Sequence, residues 1–295
     1  MRDFMWVLAT LTLILSSSTS AFAFGKKPQP VIHSNAVISD SLVKNLQCST
    51  LSEDTVLASL QLDAFDTDRN LQLQNWADVI NIAHCWALAR TQRLIYFLSR
   101  TGDDHAPLVE PATTNADDVS KMFHSPLEPY VIFRETGDVA KYFDDAKRLQ
   151  GDIDFYQLAR FSNPSNLGLM MGWGDRSKDD NAQSFAQIQA DLAKNWHPLL
   201  VLRMNPFAQH VVMVKRIHDA DASGNLVLDV YDSNRPWGDT QMTYSSADRE
   251  FMAPDYIQDE LKSSAPVGIF LVDEGDMGKI QTALLTYYTN WCEAN

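Results

Sequence analysis

A cysteine, a histidine and an aspartate, in that order, are the residues of this chain whose types and spacing fit nucleophilic chemistry. Cys85 sits in Asn81-Ile82-Ala83-His84-Cys85-Trp86-Ala87, at the start of a helical pattern. Unpaired backbone N–H groups and the positive end of the dipole at a helix start favour the thiolate, the nucleophilic form of cysteine. The Cys85 N–H can also face an oxyanion that develops during acyl transfer. A thiolate mechanism needs a base and a group that orients it. His210 opens the apolar run His210-Val211-Val212-Met213-Val214, and Asp232 follows the next run in Val230-Tyr231-Asp232-Ser233-Asn234-Arg235-Pro236. If the two runs form a hairpin, the start of one lies beside the end of the other, and the Asp232 carboxylate reaches the imidazole. Taken singly, each residue also fits a structural role: a buried thiol, a packed histidine, an Asp-Ser-Asn turn.

The elements that must position these groups are legible as patterns. Helices are expected over about 75–82, about 85–99, 137–150 and 181–196. In the second of these Leu88, Ile95 and Leu98 mark an apolar face, with Arg90, Gln92 and Arg93 expected on a solvated one. In the last, Phe185, Ile188 and Leu192 mark the buried stripe. Short runs rich in Val, Leu, Ile and Tyr at 198–204, 210–217, 226–231 and 267–272 read as strands. The turn formers from Asp219 to Asn225 predict an antiparallel hairpin between the second and third of these. A helix over about 279–291 closes the chain. Helices first (about 35–196) and strands second (about 197–275) argue for an α+β fold with segregated lobes in one domain, 24–295.

The order Cys85, His210, Asp232, with its His-Cys-Trp-Ala, His-Val-Val-Met-Val and Val-Tyr-Asp-Ser-Asn-Arg-Pro settings, resembles the papain-like cysteine peptidases. It is most similar to bacterial branches of the bacteriocin-processing type. The resemblance covers about 75–99 and 196–236. It implies a helical lobe carrying the nucleophile, a β-rich lobe carrying the base, and a substrate cleft between them. It also implies an oxyanion glutamine six residues before the cysteine. Val79 stands there, and Asn81 is the nearest amide that can replace it. The turn proline of the family is replaced by Ser233, which leaves both Asp232 and Asn234 as orienters of His210; Asp232, directly off the strand, is preferred. The activity expected is that of a peptidase or amidase working through a thioester acyl-enzyme. Transglutaminase-like acyl transfer, or a catalytically silent binding protein on the same fold, are the alternatives.

Composition and the first residues set the compartment. Residues 1–23 carry Arg2, an apolar run of about twelve residues and a closing Ala21-Phe22-Ala23, the pattern of a cleavable signal peptide rather than a membrane span of roughly 20 residues. The expected location is periplasmic or extracellular, without a stable membrane anchor. In an oxidising compartment two of the three cysteines can pair. Cys48 and Cys292 lie near the two ends, and a disulfide between them leaves Cys85 as the free thiol. Asp and Glu total 38 against 24 Lys and Arg, a net charge of -14 that opposes nucleic acid and anionic membrane as general partners. A peptide or protein is the substrate expected. No zinc spacing and no phosphate loop occurs, so neither metal nor cofactor is expected. Trp237, beside a glycine, is read as lining either a cleft or the core. The acidic pair Asp179-Asp180 is read as a solvated loop.

Overall fold

The structure is a computed structural model. It describes residues 37–40, 43–58, 70–71, 84–100, 130–131, 168, 176–205, 208–238, 240–262, 264–272 and 275–294. The signal-peptide expectation, the helices expected over 75–82 and 137–150, and Val79 and Asn81 lie outside these residues.

Six antiparallel strands form the sheet that carries the site, in the order β10-β5-β6-β7-β8-β9. They are β5 (Leu199–Asn205), β6 (Ala208–Ala220), β7 (Leu226–Tyr231), β8 (Thr240–Ser245), β9 (Glu250–Met252) and β10 (Gly268–Val272). The β6 to β7 hairpin is as expected from its turn. Asp221 Oδ1 accepts the N–H groups of Ser223 (2.8 Å) and Asn225 (2.9 Å), and Gly224 takes the positive φ of 81° that a glycine adopts without strain.

Alternation then sorts the strands into two buried faces. Leu200 and Leu202 of β5, Val212 and Val214 of β6, and Leu228 and Val230 of β7 belong to one apolar cluster. Phe185 and Ile188 enter it from helix α3 (Lys178–Ala193), two of the three positions predicted for that helix's stripe, with Leu192 packed against its edge. Register shifts along β6, between Val214 and Arg216 and again between Ile217 and Ala220, mark the bulges that sharpen strand twist. The sheet curls until its edges meet: the Val267 N–H, just before β10, donates to the Phe251 carbonyl of β9 at 2.8 Å. Helix α4 (Asp255–Leu261) follows β9 and adds Tyr256 and Ile257 to the same cluster.

The opposite face, with Val201, Val211, Met213 and Tyr231, is met by helix α2 (His84–Leu98). Here the sequence expectation needs correction. Arg90, Gln92 and Arg93 are not solvated; each is 2% exposed or less. Arg90 grips Asp276 through Nε (2.8 Å) and Nη2 (3.0 Å), and Arg93 Nη2 reaches the same carboxylate at 2.9 Å. The Arg93 guanidinium lies 4.5 Å from the centre of the Trp196 ring. Gln92 Oε1 accepts the Leu71 N–H at 2.5 Å. Asp276 opens helix α5 (Asp276–Ala294), where the dipole favours a negative charge. Polar residues inside a helical pattern look like a surface when their partner lies far along the chain.

The first half is also less uniformly helical than expected. Strands β1 (Val37–Asp40) and β2 (Val43–Gln47) pair antiparallel, and β3 (Ser99–Arg100) and β4 (Tyr130–Val131) pair parallel. Asp179 and Asp180 stand in the first turn of α3 rather than in a loop. Ser177 caps that turn by accepting the Asp180 N–H (3.1 Å), while Asp180 Oδ2 accepts the Ser177 N–H (2.9 Å). Cys48 and Cys292 form a disulfide with an S–S distance of 2.02 Å, and Cys85 is a free thiol, the pairing expected from the positions of the three. It ties a short turn beside helix α1 (Glu53–Ala58) to the end of α5. The described architecture is thus mixed helix and antiparallel sheet, α+β. Among the described residues no helix is long and apolar enough to cross a membrane.

Candidate active site

Local register brings the histidine and the aspartate together. Met213 pairs with Tyr231, so one further step sets Asp232 beside Val212, and His210 is the next residue along the same face of β6. Diagonal neighbours of this kind in an antiparallel pair are within side-chain reach. His210 Nε2 and Asp232 Oδ1 are 2.7 Å apart, and both residues are buried. The chain leaves the strand immediately afterwards in a turn closed by the Arg235 N–H and the Asp232 carbonyl (3.0 Å). That turn removes Asn234 from the position directly across from His210. The Asn234 backbone N–H instead donates to Asp232 Oδ1 at 2.8 Å. Of the two orienters left open by the sequence, Asp232 holds the ring and Asn234 holds Asp232.

Cys85 lies in the first turn of α2, where N–H groups have no intrahelical acceptor, and its side chain is half-buried. It is the second partner of His210, through a hydrogen bond and through charge. Because Nε2 is held by Asp232, Nδ1 is the ring nitrogen left for the sulfur. The three residues are therefore joined through one imidazole.

The electrostatics of the pair follow from burial set against charge. Burial by itself disfavours the imidazolium, but the charge of Asp232, its hydrogen bond, and the hydrogen bond and charge of Cys85 outweigh it. The His210 pKa is raised from 6.5 to about 10. For Asp232 burial favours the neutral acid. His210, the Tyr256 hydroxyl and the Asn234 N–H overcome that and hold the carboxyl below its ordinary range. An ionised Asp232 beside a protonated His210 is the resting arrangement these surroundings support.

Tyr256 is the residue of this site that the sequence did not single out. Its hydroxyl donates to Asp232 Oδ2 at 2.5 Å, and Asn234 Nδ2 donates to the same hydroxyl at 3.3 Å. The guanidinium of Arg235 lies 4.1 Å from the ring centre. Tyr256 is also one wall of a 490 Å³ pocket lined by Arg235, Trp237, Thr240, Gln241, Pro254 and Asp255. Trp237 is 59% exposed, which excludes the core-packing reading. Nothing in the Pro254-Asp255-Tyr256 segment marks it by motif; the contact exists because Tyr256 enters the apolar cluster that Val230 of β7 also joins.

Among the described residues no cluster of His, Cys, Asp and Glu is arranged to hold a metal ion. No protein-family model, no curated protein and no solved structure matches the chain. The geometry therefore stands on its own physical chemistry.

Proposed function

We propose that this chain is an exported cysteine hydrolase of the papain-like kind, a peptidase or amidase acting through a thioester acyl-enzyme. One observation carries the reading: a single buried imidazole has a carboxylate on Nε2 at 2.7 Å and the free thiol of Cys85 as its other partner. An imidazolium beside a cysteine sulfur is the partner of a thiolate. The signal-peptide pattern of residues 1–23 and the Cys48–Cys292 disulfide support a location outside the cytoplasm.

In the proposed reaction the Cys85 thiolate attacks the carbonyl carbon of a peptide or protein substrate. The carbonyl oxygen becomes an oxyanion facing the Cys85 N–H. The Nδ1 proton of His210 passes to the leaving amine as the C–N bond breaks, leaving a thioester and a neutral imidazole. Water then attacks the thioester, His210 takes its proton, and the acid departs with the thiolate restored. Asp232 keeps the ring in one tautomer and orientation throughout.

Two measurements test it. Iodoacetamide at pH 6 should modify Cys85 at least about tenfold faster in the wild type than in His210→Ala, because an imidazolium beside a sulfur favours the nucleophilic form of a cysteine. Equal rates would remove the thiolate. On a mixed peptide library the wild type should cleave amide bonds and Cys85→Ala should not, with both folded by circular dichroism. Cleavage that survives in Cys85→Ala would overturn the assignment, and incorporation of a labelled primary amine would redirect it to acyl transfer.

A further inference from the structure

We propose that Tyr256 is a positioning residue of the triad, its hydroxyl clamping the Asp232 carboxylate in the orientation that serves His210. The inference rests on the cysteine-hydrolase reading and adds a fourth member to its machinery. Both carboxylate oxygens of Asp232 are committed. Oδ1 takes His210 Nε2 (2.7 Å) and the Asn234 N–H (2.8 Å), while Oδ2 takes the Tyr256 hydroxyl (2.5 Å). With each oxygen anchored to a different element, the carboxylate cannot rotate away from the imidazole. The direction of the hydroxyl proton is also set. Asn234 Nδ2 donates to the Tyr256 oxygen at 3.3 Å, which leaves the phenolic proton for Asp232. Tyr256 itself is held by the apolar cluster of the sheet and by the Arg235 guanidinium over its ring.

The groups that face Asp232 are His210 from β6, Tyr256 from α4, and Asn234 and Tyr231 from its own segment. Cys85 of α2 acts through His210, and Arg235 acts through the Tyr256 ring. A hydroxyl donated to the carboxylate favours the ionised form, whereas burial favours the neutral acid. Without the hydroxyl Asp232 takes up a proton at higher pH, and a neutral Asp232 no longer supports the imidazolium beside Cys85. A merely structural loss would lower the signal without moving this titration.

The test is the pH profile of Cys85 alkylation by iodoacetamide in the full chain, from pH 3 to 9, for the wild type, His210→Ala and Tyr256→Phe, each checked for folding by thermal melting. The acid-side midpoint of Tyr256→Phe should lie about one pH unit above that of the wild type. A Tyr256→Phe profile that overlays a wild-type profile distinct from His210→Ala would overturn the role of Tyr256 and leave the triad intact. Coincident wild-type and His210→Ala profiles would instead remove the triad, and Tyr256 with it. If Tyr256→Phe does not fold, Arg235→Gln on the exposed side of the ring decides: an upward midpoint supports the clamp, and an unchanged one overturns it.

Discussion

His210 and His197 are both buried, one the third residue of β6 and the other just before β5, yet their surroundings drive their protons in opposite directions. His210 is raised from 6.5 to about 10, against its own burial, by Asp232 and Cys85. His197 is lowered from 6.5 to about 4, first by burial and then by the charges of Arg93 and Lys215, although the Val214 carbonyl on Nδ1 at 3.0 Å pulls it up. The signs give a pH window. The stability from His210 is fully present below pH 6.5 and is lost as pH rises through about 10. For His197 the unfolded chain binds the extra proton, so stability is lost as pH falls from 6.5 through about 4. We predict a maximum near pH 6.5 from this pair, with flanks of up to about 1.4 kcal/mol per pH unit. Urea unfolding at pH 5, 6.5 and 8 checks it: His197→Asn should flatten the acid flank and His210→Gln the alkaline one. At this scale the sequence was informative wherever a residue type met a strand end or helix start, as for Cys85, His210 and Asp232. Tyr256 was not legible, because its role depends on a docking of α4 that its own neighbours in sequence do not encode.

For the elements, α2 joins the nucleophile to the rest of the molecule. Its register is pinned by Arg90 and Arg93 on Asp276, at the start of α5, a contact between chain segments far apart in sequence. Removing the carboxylate would leave two buried guanidinium groups without it. We predict that Asp276→Ala costs about 3–5 kcal/mol of stability, measured by denaturant unfolding. In the same variant Cys85 should also lose alkylation rate at pH 6 before the fold is lost, since the first turn of α2 would no longer be held. The periodicity of α2 is readable in the sequence; its arginines look like surface there because a local pattern does not show a distant acid. Similarly, β5, β6, β7 and β10 announce themselves as runs of apolar residues. β8 and β9 did not, since Thr240-Gln241-Met242-Thr243-Tyr244-Ser245 alternates buried with more exposed positions near the edge of the sheet.

On the scale of the whole molecule, the disulfide between Cys48 and Cys292 spans 244 residues of sequence and encloses every element of the site. Closing so long a loop restricts the unfolded chain. The double variant Cys48→Ser with Cys292→Ser should be less stable by about 2–5 kcal/mol in guanidinium titrations, with the α2 site still formed. The terminal placement of two cysteines made this pairing legible, whereas the burial of α2 against α5 had no such local mark. The bond also makes the covalent chain a ring from position 48 to position 292. A backbone cut anywhere inside that ring yields two pieces that still travel as one molecule until a reductant separates them. A proteolytic event in this protein, self-inflicted or not, is therefore silent in non-reducing electrophoresis and visible only after reduction.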